Sequence, residues 1–337
     1  MNVLLCFNNN FVRLARSLII SLMCHHSDLH IIVAYLHLDE EQRQSLKQLV
    51  ESPAADAPWN SGLYAKKEPP KHRISFVQAD ESLIPDMPFK KKFSADIWSR
   101  CFIWDRFDFS RLLYLDADII VNGSIEPFYN ADLRGTPIMA APDLSITYRT
   151  MEYLSPLGLN DNPAKPYFNS GVMLFDLDNM RKQGHTVAKM QEFLKTCPTL
   201  RYPDQDFLNL FFKNNYTPAN PFHYNCLVYS VSKFSRELLR DFHEVQFAEI
   251  AQENGKTDLQ PTIIHYNGKK PFKWNYNQKH FAREYWHYAL MDPLCEGSHL
   301  LLHASQAGTR AVNALLYPFN MLLNPLTNHV PYKPKAD

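Results

Sequence analysis

The chain has 337 residues, of which 45% are hydrophobic and 13% aromatic, enough for one large domain with a tail or for two smaller domains. Lys and Arg together number 35, as do Asp and Glu, so the formal net charge is +0 and nucleic acid is not an expected partner. Six scattered cysteines without a Cys-x-x-Cys pair argue against a disulfide framework or a zinc knuckle and predict a reducing compartment. Because the sequence shows neither a signal peptide nor about 20 consecutive apolar residues, we expect a cytoplasmic protein.

The first part of the chain alternates short apolar runs with segments of helical spacing. The apolar runs predict strands at residues 3–7, 29–36 and 74–77, and the helical spacing predicts helices at 11–23, 40–50 and 98–107. This alternation predicts an α/β domain with a largely parallel sheet, in which ligands bind beyond the carboxyl ends of the strands. Cys24-His25-His26, which ends the first amphipathic helix, is interpreted as surface.

Three Asp-x-Asp pairs occur in the chain, namely Asp116 with Asp118, Asp176 with Asp178, and Asp204 with Asp206. Asp176 opens a polar segment where acids are ordinary helix caps, and Asp204 follows Pro203 at a predicted helix start. The first pair alone has a strand-like run on both sides, within residues 111–121, which predicts a buried strand. Buried carboxylates need neutralisation, and a divalent cation is the natural candidate, although acids of a strand-end turn that face water are the alternative.

Three later apolar runs carry the remaining candidates, in order the runs at 137–141, 167–175 and 262–265. A glycine inside the middle run is typical of close backbone approach to a ligand or to another chain. His265 ends the last run, and two carboxylates with one imidazole form a plausible Mn²⁺ set that leaves positions for phosphate oxygens. A lone histidine at a strand end is otherwise a structural residue.

The residues after 280 differ in pattern from the rest of the chain. Residues 310–323 are apolar around Pro318, which suits an amphipathic surface that rests on a membrane or on another subunit. Packing of this segment against the main domain is the simpler alternative, and few basic residues accompany it.

Six blocks occur in one order along the chain: Asn8 and Asn10 after the first strand, then residues 98–100, 113–118, 167–172, 204–206 and 265–271. Together they resemble the retaining glycosyltransferases of family 8, typified by bacterial lipopolysaccharide galactosyl- and glucosyltransferases and by glycogenin. The resemblance covers about residues 1–275. It implies a single Rossmann-like nucleotide-sugar-binding domain of the GT-A fold over residues 1–280, with a mostly parallel central sheet, and a C-terminal extension over 281–337.

The resemblance also implies roles for individual side chains. Asp116, Asp118 and His265 would hold Mn²⁺, or Mg²⁺, and through it the diphosphate of the donor. The implied donor-binding residues are Asn8 and Asn10 beside the uridine, Lys270 beside the phosphates, and Arg100, Asn169, Ser170, Asp204 and Gly268. Gln205 would lie beneath the anomeric carbon as a catalytic residue together with Asp204, and Asp143 would lie toward the acceptor. The family often has Asp where Asn8 stands, and Lys269, Lys270 and Lys273 compete for the phosphate role.

The expected reaction is transfer of galactose or glucose, with retention, from UDP-galactose or UDP-glucose to a glycan or glycolipid acceptor such as lipopolysaccharide. Departing UDP carries charge that a metal and a lysine stabilise, so no carboxylic acid is needed to protonate it. We expect same-face attack, with a transient adduct on Asp204 as the alternative. The other functions considered are a catalytically weak nucleotide-sugar-binding protein and a metal-dependent phosphoesterase or nucleotidyltransferase. The expected location is cytoplasmic, with peripheral contact at the inner face of the cell membrane through the C-terminal extension as the alternative.

Overall fold

The computed structural model describes residues 1–53, 57–83, 95–149, 151–159, 161–198, 200–231, 260–268, 270–272 and 281–295. The strands in chain order are β1 Asn2–Cys6, β2 His30–Tyr35, β3 Arg73–Gln78, β4 Arg111–Leu115, β5 Ile119–Val121, β6 Ile138–Pro142, β7 Phe168–Asp176, β8 Thr217–Pro218, β9 Cys226–Leu227 and β10 Ile263–His265. The large sheet has the order β3-β2-β1-β4-β7-β6-β8, and a small sheet has the order β5-β10-β9. In the large sheet β7 runs antiparallel to β4 and β6, while the other pairs are parallel. The predicted α/β fold with a mostly parallel central sheet is confirmed.

The helices flank these sheets and connect their strands. They are α1 Val12–His25, α2 Glu40–Glu51, α3 Glu126–Tyr129, α4 Leu144–Arg149, α5 Met151–Leu154, α6 Leu177–Lys182, α7 Val187–Leu194, α8 Pro203–Phe211, α9 Pro221–Tyr224, α10 Val228–Val231 and α11 Ala282–Ala289. The predictions at 11–23, 40–50 and the start after Tyr202 are confirmed by α1, α2 and α8. Pro203 occupies the first turn of α8, where its missing N–H removes no helical hydrogen bond.

The helix predicted at 98–107 is wrong. Two short 3₁₀ turns, Ala95–Trp98 and Trp104–Arg106, take its place. Every residue from 98 to 104 is buried, including the large rings of Trp98, Phe102 and Trp104. Burial all round is compatible with a regular helix, as α1 shows, so the hydrophobic spacing of this segment does not distinguish a helix from successive turns.

The single strand predicted at 111–121 is also wrong, because the run divides between the two sheets. Leu115 of β4 pairs with Val172 of β7, whereas Ile119 of β5 pairs with His265 of β10. The chain leaves the large sheet after β4, turns, and enters the small sheet at β5. Asp116 and Asp118 therefore lie in the turn between two sheets, with a strand on each side.

The hydrophobic core occupies both faces of the large sheet. Val3 and Leu5 of β1 face a cluster that includes α1, and Leu4 faces the opposite cluster with Trp98 and Tyr114. All three β1 side chains are fully buried. Central strands packed on both faces are rigid, and they hold the polar residues at their carboxyl ends in fixed positions.

Residues 281–295 pack on the main domain. The buried Arg16 of α1 contacts Asp292 through two N–O distances of 2.7 Å, and the Tyr266 hydroxyl donates to the Phe281 carbonyl at 2.6 Å. The apolar segment at 310–323 lies outside the described residues. Within the described ranges, no helix is long and apolar enough to cross a membrane.

The prediction that Cys24-His25-His26 lies on the surface is wrong for Cys24 and His26. These two residues are 1% and 3% exposed, because Lys66, Ile125 and Met291 contact the end of α1 from three different segments. His25 is partly buried and its Nε2 lies 2.8 Å from the Tyr288 hydroxyl of α11. Burial, followed by the nearby charges of His25 and Lys66, lowers the pKa of His26 to about 3.

This buried imidazole makes stability depend on pH. The unfolded chain binds a proton at His26 near pH 6.5 and the folded chain only near pH 3, so the free energy of unfolding decreases as pH falls through that window. We expect His26→Gln to remove about 1–2 kcal/mol of the stability loss between pH 7.5 and 5. Urea unfolding at several pH values measures this slope. Equal slopes for wild type and His26→Gln would contradict the assignment, and the exposed His37→Gln is the matched control.

Candidate active site

Three potential metal ligands converge at the turn between the two sheets. Asp116 and Asp118 come from the turn itself, and His265 comes from the end of β10. The His265 Nε2 lies 3.2 Å from Asp118 Oδ1 and 3.6 Å from Asp116 Oδ2, and one ligand atom of each residue lies within 4.8 Å of the others. Two carboxylates and one imidazole suit a divalent ion such as Mn²⁺, whereas Mg²⁺ prefers oxygen ligands throughout.

Backbone pairing brings these distant residues together. The Tyr266 N–H donates to the Asp118 carbonyl at 2.9 Å, and the Asp116 N–H donates to the Gly171 carbonyl at 2.8 Å. A Cβ atom on Gly171 would lie 2.4 Å from His265 Cε1 and 2.7 Å from Asp116 Oδ2, closer than real atoms approach. The glycine in the apolar run of β7 is thus required by the close approach of the metal-ligand side chains.

Positive charge compensates the two carboxylates. Lys270 contacts Asp118 and also donates to the Tyr266 carbonyl at 2.9 Å. Burial by itself raises the pKa of Asp118, but the charges of Lys270 and His265 outweigh it and hold that pKa below its usual range. Asp118 is therefore ionised, which is the state that metal binding would require. Gly268 lies between His265 and Lys270 with a φ of +91°, a conformation that favours glycine.

Arg100 joins the metal-ligand cluster to a second group of polar side chains. Its Nη1 lies 2.8 Å from Asp116 Oδ1, and its Nε lies 3.4 Å from Asp204 Oδ2. The guanidinium also lies 4.5 Å from the ring centre of Tyr114, whose hydroxyl donates to Asp116 at 2.5 Å. Burial raises the pKa of Asp204, with the Arg100 charge acting in the opposite direction.

The second group is a buried network of amides around Asp143. Asn169 Nδ2 donates to Asp143 Oδ2 at 2.9 Å and to Gln205 Oε1 at 3.0 Å. Gln205 Nε2 donates to the same Asp143 oxygen at 3.2 Å, and its Oε1 accepts the Ser170 N–H at 3.0 Å. The Ser170 hydroxyl lies 3.4 Å from Asp204 Oδ2. These side chains are nearly inaccessible to solvent, so their orientations are set by one another.

The two asparagines after β1 lie at the same edge of the sheet. Leu5 pairs with Leu115, so Asn8 follows β1 at about the level where Asp116 follows β4. Asn8 Oδ1 accepts the Asn10 N–H at 3.1 Å, and Asn8 Nδ2 donates to Asp96 Oδ2 at 2.8 Å. Asn10 is exposed. Asn8 thus both caps its own turn, as its local sequence allows, and contacts a buried carboxylate.

In the other two Asp-x-Asp pairs, Asp176 and Asp206 have structural roles. Asp176 Oδ1 accepts the Asn179 N–H at 2.9 Å, which confirms the predicted helix cap. Asp206 is fully buried, and its carboxylate accepts from the hydroxyls of Tyr153 and Tyr167 at 2.5 and 2.6 Å. Asp206 therefore anchors α8 and leaves Asp204 to face Arg100.

Hydrogen bonds and ion pairs connect Asp116, Asp118, His265, Lys270 and Arg100 with Asp204, Gln205, Asn169, Ser170 and Asp143. Asn8 contacts Asn10 and Asp96, and among the described residues neither asparagine makes a hydrogen bond with this group. Lys269 and Lys273 lie outside the described residues. Three polar partners were missed by sequence reasoning: Tyr114, Asp96 and Asn225. Tyr114 could have been found, because it lies in β4 two residues before Asp116, and alternate side chains of an extended segment point to the same side. Asp96 and Asn225 follow no regular pattern, and no sequence signal marks them.

Comparisons with known proteins agree with this architecture. The family model described as Glycosyl transferase family 8 matches residues 2–278. Glycosyltransferase GlyB of Streptococcus pneumoniae is 30% identical over 202 residues, which are 60% of this chain and 44% of the relative. Lipopolysaccharide 1,2-glucosyltransferase of Escherichia coli K12 is 26% identical over 230 residues, 64% of this chain and 62% of the relative. The chain thus spans less than two thirds of the length of these curated relatives.

A solved structure shows the same fold. The crystal structure of the galactosyltransferase LgtC in complex with donor and acceptor sugar analogues matches with a TM-score of 0.64 at 21% identity. The match covers 86% of this chain and 95% of LgtC. At this identity the similarity establishes the GT-A architecture of the chain.

Gly171→Ala tests whether close approach at β7 holds the three ligands together. The added methyl group has no space beside His265 and Asp116, so we expect about 1–3 kcal/mol of destabilisation and, for a cluster that binds a divalent ion, a smaller thermal shift with Mn²⁺ than in the wild type. Differential scanning fluorimetry with and without Mn²⁺ measures both effects. Gly123→Ala is the control, because its Cβ would lie 3.7 Å from Thr262 Cγ2, an ordinary contact. An unchanged Mn²⁺ response in Gly171→Ala would refute this account of the site.

Proposed function

The chain belongs to glycosyltransferase family 8, and on that premise we propose that it is a retaining, Mn²⁺-dependent hexosyltransferase with a UDP-sugar donor. One observation carries the proposal: the Asp116, Asp118 and His265 cluster is joined through Arg100 to a buried polar network that contains Gln205. The donor we propose is UDP-glucose or UDP-galactose, and the acceptor is a glycan or glycolipid such as lipopolysaccharide. The names of the E. coli glucosyltransferase and of LgtC support a hexose.

The metal-ligand cluster suits the departure of UDP. Asp116, Asp118 and His265 would hold the ion, which when bound supplies Lewis-acid stabilisation of the diphosphate. Lys270, beside Asp118, adds a second positive charge that phosphate oxygens can share. Because the leaving diphosphate is already stabilised as an anion, the site needs no carboxylic acid to protonate it.

The amide network suits a donor sugar held in one orientation. Charged and polar atoms surround Gln205, and they belong to Arg100, Asn169, Ser170 and Asp204. Such atoms can hydrogen bond to the hydroxyl groups of a donor sugar. Gln205 Oε1 accepts two N–H groups, and a neutral amide so engaged is a poor nucleophile. We therefore propose same-face attack, in which the leaving phosphate accepts the proton of the acceptor hydroxyl and Gln205 positions the sugar.

The acceptor role of Asp143 stays a prediction. Its carboxylate is 3% exposed and accepts from Asn169 and Gln205 on one oxygen and from Ser145 and the Ile146 N–H on the other. Asp143 thus holds the two amides in place. An acceptor hydroxyl would hydrogen bond to the Asp143 carboxylate by replacing one of these four donors.

A phosphoesterase or nucleotidyltransferase with two metal ions would need further ligands. In the part of the chain that the structure describes, the cluster of Asp116, Asp118 and His265 is the single group of that kind. A binding protein without turnover is distinguished by the assay below. The boundary at residue 280, the cytoplasmic location and the membrane or subunit contact of residues 281–337 stay predictions from the sequence.

Asp118→Asn tests the proposed function. We expect UDP release from UDP-glucose or UDP-galactose in the presence of Mn²⁺, and a loss of at least about 100-fold in this variant, because a neutral amide is a weak metal ligand. A coupled UDP assay over a panel of UDP-sugars measures this. Asp178→Asn, which changes the same residue type in an exposed Asp-x-Asp paired with Arg181, should retain activity. Absence of UDP release across the panel would favour a binding protein.

The mechanism has its own test. With a slowly reacting fluorinated donor analogue and Mn²⁺, we expect intact-protein mass spectrometry to show no increase in mass, because same-face attack forms no covalent intermediate. Gln205→Ala should lower kcat with little change in Mn²⁺ affinity, since Gln205 contacts neither Asp116 nor His265. A stable glycosyl adduct mapped to Asp204 would instead establish the alternative, a double displacement.

A further inference from the structure

Asn225 lies between α9 and β9 and connects the two halves of the site. It is 1% exposed, and both ends of its side chain are hydrogen bonded. Its Oδ1 lies 2.9 Å from His265 Nδ1, and its Nδ2 lies 2.9 Å from Asn169 Oδ1. One amide therefore contacts a metal-ligand candidate on one side and the sugar-side network on the other.

The orientation of this amide follows from the network. Asp143 Oδ2 accepts hydrogen bonds, so Asn169 must direct its NH₂ group toward Asp143 and its Oδ1 toward Asn225. Asn169 Oδ1 also accepts the Gly171 N–H at 2.9 Å, which agrees with that orientation. Asn225 must then donate to Asn169 through Nδ2 and present Oδ1 to His265.

This orientation decides which nitrogen of His265 carries hydrogen. An amide oxygen only accepts, so His265 Nδ1 carries hydrogen and donates it, and Nε2, which faces Asp116 and Asp118, is the nitrogen that would bind a metal ion. Metal-binding histidines in general have their second nitrogen held by such an acceptor, which orients the ring. Pairing of Leu227 with His265 in the small sheet keeps Asn225 beside the imidazole.

We propose that Asn225 is a positioning residue that fixes the ring and tautomer of His265 for metal binding and, through Asn169, aligns the sugar side of the site. The second part rests on the proposed function, whereas the first requires only that the cluster binds a divalent ion. Asn225 is inaccessible to solvent, so water does not replace a lost hydrogen bond there. The hydrogen bond to His265 and the hydrogen bond to Asn169 therefore both depend on the Asn225 amide itself.

Two substitutions separate the hydrogen bond to His265 from the hydrogen bond to Asn169. Asn225→Ala removes both hydrogen bonds. Asn225→Asp retains an acceptor for His265 Nδ1–H but places a second acceptor against Asn169 Oδ1. Asn220→Ala is the matched control: Asn220 is 2% exposed, lies five residues earlier, and caps α9 by accepting the Phe222 N–H at 2.9 Å. Within the described part of the chain, the Asn220 side chain donates to and accepts from neither His265 nor Asn169.

The experiment measures the dissociation constant of Mn²⁺ with a fixed concentration of UDP, by the electron paramagnetic resonance signal of free Mn²⁺, for the full chain and each variant. We expect Asn225→Ala to weaken Mn²⁺ binding about tenfold to 100-fold. Asn225→Asp and Asn220→Ala should stay within about threefold of wild type. The kcat of UDP-sugar hydrolysis should fall at least about tenfold in Asn225→Asp as well as in Asn225→Ala, and should be unchanged in Asn220→Ala.

Wild-type Mn²⁺ affinity in folded Asn225→Ala, or an equal loss in Asn225→Asp and Asn225→Ala, would overturn the positioning of His265. Thermal unfolding shows which variants are folded, and Asn225→Asp keeps the proposal falsifiable if Asn225→Ala does not fold. Failure of the wild type to release UDP from any UDP-sugar would overturn the proposed function, while the ranking of Mn²⁺ affinities would still decide the role of Asn225. A wild type that binds no Mn²⁺ would overturn both.

Discussion

Asp116 and Asp118 place two negative charges in a turn between two sheets, and the site depends on how that charge is compensated. At a separation within 4.8 Å, two such charges repel by roughly 3–4 kcal/mol in the dielectric environment of a protein surface. Arg100 and Lys270 each contact one of the carboxylates, and His265 reaches both. The cationic residues come from segments far apart in the chain, so the folded structure is what assembles a site able to hold a metal ion and an anionic leaving group.

Neutral amides perform a different task in the same site. Asn169, Gln205 and Asn225 form one connected set of hydrogen bonds that ends on the Asp143 carboxylate at one side and on His265 at the other. Because Asp143 only accepts, each donor and acceptor along the set has one consistent orientation. Charge therefore determines what the site attracts, and the amides determine how the groups around it are oriented.

The scaffold explains why small side chains matter at particular points. Gly171 in β7 leaves space for His265 and Asp116, and the turn between β4 and β5 moves the chain from one sheet to the other. The segment after His265 is tied through the Tyr266 hydroxyl to Phe281, and Arg16 holds Asp292 on α1. Residues 281–295 thus support β10, which carries His265 of the candidate metal cluster.

The sequence by itself determined the opening alternation of β1, α1, β2, α2 and β3, the choice of Asp116 and Asp118 among three Asp-x-Asp pairs, and the helix start at Pro203. These features depend on hydrophobic period, flanking residues and cap chemistry, all of which are local. The tertiary structure alone decided that residues 98–104 fold as turns, that 111–121 divides between two sheets, and that Cys24 and His26 are buried. It also decided the contact of Asn225 with His265, 40 residues away. Burial on several sides and side-chain pairing between distant segments leave no periodic trace in the sequence, because they depend on which elements pack against each other.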